Sequence, residues 1–317
     1  MSRRLAPTSS GGSVTRFGFP PSTIRRCTSA FARSIGSPCD HGAVEYDPTQ
    51  YLGAARYYLP GRPAYSADLP NVLASELELD GAGHLVDVGC GPGTVGVQLA
   101  GLFERVTLVD PDPDMLAEAR SHAAAAGRTA IEFVQATAEQ LPELGLSPIR
   151  VATFGQSFHR TDRVVVAEAI HRLLQPGGSL VLISHDATRP PPAAPGGTSP
   201  IPHHEIRELI KSFLGNELRS GQRLVADYEV ERFEDTLART SFGPPRRVFA
   251  QGRPDIVRDV DGVIAGILSM SYAAPHLFGA RLEEFVATLR SLLERRSPTG
   301  RFWDWPGDTE LLIARRD

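Results

Sequence analysis

Lysine is all but missing from this chain: Lys211 is the single one in 317 residues, and arginine supplies the rest of the 33 basic side chains. We read that bias as a coding preference. Against 37 acids the formal charge is −4 and the isoelectric point lies near 6.2. Such a balance leaves no electrostatic footprint for a phosphate backbone, so no nucleic-acid partner is expected. Cysteine is scarce as well. Cys27, Cys39 and Cys90 are too few and too scattered for a disulfide framework or a zinc site. No metal is expected, and a reducing cytoplasm is the expected setting. No apolar run approaches the roughly 18–20 residues that cross a bilayer, so no membrane partner is expected either. What remains is ordinary for a globular protein, with 41% apolar and 22% charged residues. The length suits one large domain or one and a half.

Residues 1–45 lack acids before Asp40 and lack any helical period, while Ser, Gly, Pro and Arg abound. Arg-rich, acid-poor leaders occur on organelle proteins, but these glycines and prolines spoil the amphipathic helix of a mitochondrial one. A disordered tail, or an over-long start, is the expectation.

The stretch that organises the rest is HLVDVGCGPGTVGVQLA, residues 84–100. A short apolar strand, a loop with Gly89, Gly91 and Gly93, and a helix from Thr94 read as the first turn of a doubly wound sheet. Such a turn brings bare backbone against a nucleotide. Read from Gly91, GPGTVG matches G-x-G-x-x-G and a dinucleotide. Read from Gly89, an acid, Asp87, stands two residues before the first glycine. The second register is preferred, because the strand ends at Val88 and because Pro92 removes an N–H that a pyrophosphate cradle needs. S-adenosylmethionine (SAM) has no phosphate and tolerates that loss, and its ammonium and sulfonium suit a nearby acid. Cys90, inside this loop, has to be small rather than reactive.

Further runs follow in a strand–helix alternation that implies a parallel sheet with right-handed crossovers. RVTLVD ends at Asp110, whose carboxylate can take both ribose hydroxyls of SAM or of NAD alike. Helix 113–126 has apolar Met115, Leu116, Ala119 and Ala123, with Gly127 to stop it. IEFVQ leads into ATAEQLP; VATFGQSFH ends in polar residues; LLQPGGSLVLI supplies a helix end, a turn and a fifth strand. Gly89, Asp110, Thr137 and Gln156 all fall at strand carboxyl ends, where ligands bind in such sheets.

The series DVGCGPGT, LVDPDPDML, ATAEQLP, GQSFH and LQPGGSLVL resembles the class I SAM-dependent methyltransferases, in their small-molecule branch of ubiquinone/menaquinone-type and trans-aconitate-type enzymes. The likeness covers about residues 50–186, and TELLIARR fits the closing strand. It implies an α/β fold with a doubly wound, mostly parallel seven-stranded sheet, and a helical cap inserted after the fifth strand. It also implies that Asp87, Gly89, Cys90, Gly91 and Gly93 wrap the methionine end of SAM, that Asp110 and Pro111 meet the ribose, and that Thr137 and Ala138 flank the adenine, with Gln156 nearby. Where the family often has Asp beside the adenine, this chain has Thr137.

Four segments are expected on this basis: the tail 1–45, a SAM-binding core over 46–186, a hinge and helical cap over 187–244, and a return to the core over 245–317. The Pro/Gly run 188–200 is the hinge, followed by two helices in HHEIRELIKSFLG and EVERFEDTLART. PRRVFAQG reads as a sixth strand, VDGVIAGILSMSY and RLEEFVATLRSLLERR as helices.

Methyl transfer from a sulfonium asks the protein to align the acceptor, exclude water and often remove a proton. His159, after the fourth strand, is the candidate base. Tyr58 and Tyr65, from an aromatic segment expected to fold over the cofactor, with His185 and Tyr272, are candidate acceptor contacts. Phe213, Met270, His276, Trp303 and Trp305 are further pocket candidates, while His203 and His204 lack the spacing and acid partners of a metal site. No N/D-P-P-Y/F string or Pro-Cys pair follows the fourth strand, and one lysine cannot furnish a Lys-Asp-Lys-Glu tetrad. A small-molecule methyl acceptor is the remaining expectation. An NAD(P)-dependent oxidoreductase and a non-catalytic SAM-binding protein are the alternatives.

Overall fold

The computed structural model describes residues 46–317, except 147, 187, 189–190, 221–222 and 225–230. The tail expected over 1–45, with Cys27 and Cys39, lies outside the described residues.

The main sheet has seven strands: β1 (His84–Val88), β2 (Arg105–Asp110), β3 (Ile131–Gln135), β4 (Ile149–Gly155), β5 (Leu174–Asp186), β6 (Arg246–Ala250) and β7 (Asp308–Arg315). Their order is β3-β2-β1-β4-β5-β7-β6, and only β7 runs against its neighbours. Chain direction across the sheet reverses between β1 and β4, so the crevice beyond their carboxyl ends is the natural ligand position.

Both faces are covered, and the strands alternate between them. Leu85, Val181, Ile183, Leu311 and Ile313 join one core with α2 (Leu69–Leu77), α3 (Gly96–Leu99) and α4 (Pro113–Ala125). Val86, Leu180, Leu182 and Leu312 join another with α5 (Arg163–Leu173). Asp112 caps α4, accepting from the Asp114 and Met115 amides at 2.8 and 3.3 Å, and Pro113 supplies the first helical residue. The four apolar positions read for α4 are all buried. α3 begins at Gly96, two residues later than Thr94, and lasts one turn before tightening into a 3₁₀ turn.

A third core is helical. Ile206 and Ile210 of α6 (His203–Leu214) pack with Phe285, Leu289 and Leu293 of α10 (Leu282–Arg296), with α8 (Val260–Leu268) and with α9 (Pro275–Phe278). The expected segment boundaries therefore shift. This layer draws on two excursions of the chain, one after β5 and one between β6 and β7, while β6 and β7 themselves complete the sheet. α7 (Phe233–Leu237), expected in the cap, instead packs with α5 against the sheet, because Phe233 and Leu237 are its apolar side chains and Phe158 offers its ring 5.5 Å from Phe233. No single described helix is long and apolar enough to cross a membrane.

α1 (Ala55–Gly61) packs against α8 of the helical layer and against α4. It touches α8 backbone to backbone: a Cβ on Gly61 would sit 2.4 Å from the Ala265 carbonyl carbon. The segment ahead of it is fastened to the same layer. Gln50 donates to the Ser220 hydroxyl at 2.8 Å, which donates to Ser271 at 2.7 Å, and the Leu52 carbonyl lies 3.1 Å from His276 Nδ1.

Candidate active site

A cavity opens at the carboxyl ends of β1, β2 and β4. Its floor is the glycine loop. Gly89 and Gly91 have φ of +61° and +54°, which only glycine adopts without strain. A Cβ on Gly89 would collide with Ser157 at 2.5 Å, whereas one on Gly91 would meet no atom within 4 Å and would stand in the cavity. Asp110 closes β2 beside this loop. One of its oxygens accepts the Gly91 amide at 2.7 Å and the other the Asp112 amide at 2.9 Å. Burial raises its pKa to about 6, against the pull of these amides.

Pro111, Met115, Thr137 and Ala138 form one side wall, and Phe154, Gly155, Gln156 and Ser157 another. Gln156 is held at φ +57°, an uncommon conformation for a side-chain-bearing residue that costs on the order of 1–3 kcal/mol. Its amide is bonded to the Ile183 carbonyl at 3.0 Å, which keeps the end of β4 in that turn. Tyr46, Gln50, Tyr51 and Tyr58 form the cover, and Arg160 with Thr161 the remaining side.

Of the residues read from the sequence, Gly89, Gly91, Asp110, Pro111, Thr137, Ala138, Gln156 and Tyr58 line this cavity together. Others are placed elsewhere. Asp87 is buried, with its oxygens accepting the Thr153 hydroxyl at 2.7 Å and the Gly96 amide at 2.9 Å. It ties β1 to β4 and to the start of α3 rather than touching a ligand, and burial pushes its pKa up to about 7. Gly93 faces inward, where a Cβ would meet Val97 at 2.9 Å and Leu108 at 3.3 Å. Cys90 is buried with its thiol pushed well up by burial, an inert filler of the loop.

His159 does not line the cavity. Burial, helped by Arg160 and Arg163, pushes it down to about 3, which disfavours proton uptake there. The next residue, Arg160, faces the cavity in its place. Tyr272 packs in the helical core and donates to Met270 Sδ at 2.7 Å.

Tyr65 and His185 stack on each other, with ring centres 4.7 Å apart at 16°. Burial brings His185 down to about 4. Tyr65 lines a second cavity of about 420 Å³, with Arg62, Arg253, Arg258 and Arg301. Its hydroxyl reaches back toward the first, since a Cβ on Gly155 would lie 3.3 Å from it. Tyr46, Gln50, Tyr51, Phe154, Ser157, Arg160 and Thr161 carry no sequence signal that marks them, and all lie outside the aromatic segment 54–65 expected as a cover.

Residues 85–178 match the family model described as a methyltransferase domain. They span the glycine loop, Asp110, Thr137 and the Gln156 turn. This stretch of the chain is similar to a methyltransferase domain. Curated methyltransferases are similar to part of the chain as well. The methyltransferase cfoB of Aspergillus candidus is 33% identical over 128 residues, 38% of this chain and 39% of that protein. The ubiquinone/menaquinone biosynthesis C-methyltransferase UbiE of Rubrivivax gelatinosus is 35% identical over 103 residues, 32% of this chain and 38% of its own length. A ubiquinone biosynthesis O-methyltransferase of Xanthomonas euvesicatoria is 33% identical over 116 residues, 37% and 48% of the two chains. The chain thus spans less than half the length of each of these relatives. A solved SAM-dependent methyltransferase from Thiobacillus denitrificans, in complex with S-adenosyl-L-homocysteine, covers 83% of this chain and 96% of its own at 12% identity, with a TM-score of 0.46.

Proposed function

We propose that the chain transfers a methyl group from SAM to an oxygen, nitrogen or carbon atom of a small molecule. The observation that carries this reading is the bare edge at Gly91. Its amide is pinned by Asp110, and the space its side chain would fill is open cavity. A cradle of peptide groups beside a buried carboxylate suits a nucleoside whose other end is an amino acid, with no phosphate to bind.

The residues fit that group. Gly89 and Gly91 would meet the methionine end, Asp110 the ribose hydroxyls, and Pro111, Met115 and Ala138 the base. Bound there, SAM supplies a methyl carbon already activated by its sulfonium. The chain's own contribution is to hold and to exclude. Tyr46, Tyr51 and Tyr58 close the cavity over the glycine loop and keep water from the transfer. The turn at Gln156 fixes the rim where β4 ends, and the neighbouring cover brings the acceptor into line. With His159 down at about 3, this reading gives the side chains no proton-removing step and rests on alignment. Both a C-methyltransferase and an O-methyltransferase stand among the relatives, so the accepting atom is left open among the three kinds.

Calorimetric titration tests the donor. S-adenosylhomocysteine is expected to bind, and Asp110→Ala to weaken that binding by about 1–3 kcal/mol through lost hydrogen bonds. A protein that binds NAD(H) and shows no association with S-adenosylhomocysteine would overturn the reading. Incubation with methyl-labelled SAM and a metabolite extract is expected to label a small molecule; label found only on protein or nucleic acid would reject the acceptor class.

A further inference from the structure

Tyr58 lies between two guanidinium groups. That of Arg62 sits over its ring at 5.1 Å. That of Arg160 sits over the ring of Tyr51 at 4.9 Å, and the Tyr51 and Tyr58 rings meet edge to face at 6.5 Å. Burial pushes the Tyr58 phenol up, while Arg62 and Arg160 both pull it down, so each cation is felt at this spot.

Neither arginine has an acid for a partner among the described residues. Arg62 donates from Nη2 to the Ser269 carbonyl at 3.1 Å, but its Nε is buried without a hydrogen bond. Arg160 Nη1 is buried and unbonded as well. The contrast with nearby arginines is direct. Arg258, whose Nε is likewise without a well-formed hydrogen bond, still has Asp304 at 2.6 Å, and Arg163 has Glu231 at 3.8 Å. The acids that share the cavity with Arg160 are otherwise engaged: Asp110 holds the Gly91 and Asp112 amides, and Asp112 caps α4.

A buried N–H without an acceptor is costly, and a buried cation without a counter-charge more so. Aromatic faces offset part of that cost but give no acceptor for the N–H. Arg160 therefore faces the cavity with an unmet demand for an oxyanion, and a planar guanidinium meets a carboxylate best.

We infer that the methyl acceptor is an organic acid, and that Arg160 determines this specificity by binding its carboxylate, with Arg62 adding a second positive charge across Tyr58. The inference rests on reading the cavity as the methyl-donor site. A carboxylate reaches it from two sources, the acceptor or the amino-acid end of the cofactor, and the test separates them.

The full chain is first titrated with S-adenosylhomocysteine. No binding at this step overturns the donor reading and this inference with it. The saturated complex is then titrated with 4-hydroxybenzoate, salicylate and succinate, and in parallel with the carboxamide of each. At least one acid is expected to bind about tenfold or more tightly than its amide. Arg160→Gln is expected to abolish that preference and Arg160→Lys to restore part of it. If acids and amides bind alike, or none binds, the inference fails while the donor reading stands. If Arg160→Gln instead weakens S-adenosylhomocysteine about tenfold and leaves any preference for acids untouched, the arginine serves the cofactor's carboxylate and the inference is overturned.

Discussion

Three glycines in one loop have unlike duties, and single substitutions separate them. Gly91→Ala places a methyl group in open cavity and strains a positive φ, so it is expected to weaken S-adenosylhomocysteine binding with a drop in stability of about 1–2 kcal/mol from the backbone alone. Gly93→Ala adds collisions with Val97 and Leu108, and a larger loss in denaturant titration is expected there. Asp87 carries a pH signature. Its folded pKa, near 7, stands above the ordinary value of 3.8. Its contribution is therefore complete below pH 3.8 and is lost as the pH rises through about 7. Between pH 4 and 8 the parent is expected to lose melting temperature relative to Asp87→Asn; parallel curves would reject the raised pKa. At this scale the sequence was legible wherever backbone chemistry dictates residue type, as at Gly89, Gly91 and Asp110. It was silent on Arg160, because spacing says which residues leave a strand together but not which of two neighbours in a 3₁₀ turn faces the ligand. His159 and Arg160 exchanged places on that account.

Among elements, α4 was readable in full: Met115, Leu116, Ala119 and Ala123 share one face, and its cap and stop lie in the local residues. α8 and α10 were readable as helices but not as neighbours of α6. An apolar stripe tells what a helix buries, not against which element. The contact of α1 with α8 was invisible for a related reason, since Gly61 and Gly266 look like ordinary helix-weakening glycines in sequence. In the fold they allow two backbones to meet. Gly266→Ala would bring a Cβ to 2.7 Å from the Gly61 carbonyl oxygen. The expected cost is about 1–3 kcal/mol from overpacking. Because α1 carries Tyr58, ligand affinity should fall alongside, and a variant losing stability with unchanged affinity would show that α1 does not transmit the displacement.

At the scale of the molecule, the cavity is lined by residues of two origins, the loops of the sheet and the segment before and within α1. The loops of the sheet line one part of it, while the segment over residues 46–61 is held by Ser220 and Ser271 through Gln50, by His276 of α9 through Leu52, and by Gly266 of α8 against Gly61. Leu289 is fully buried at the centre of that helical core. Leu289→Ala is expected to cost about 2–5 kcal/mol in denaturant unfolding. Hydrogen exchange should rise in α6 and α10 together, and faster exchange confined to α10 would show that the two excursions do not share one cooperative unit. The alternation of runs and turns implied a parallel sheet and the resemblance its seven strands, but neither the strand order nor the double origin of the helical layer could be anticipated. The strap over residues 46–61 thus hangs from the outer helices by side chains and two glycines, and it borrows little from the strands beneath. A protein so divided can reshape the lintel above its doorway while the hearth beneath keeps its original stones.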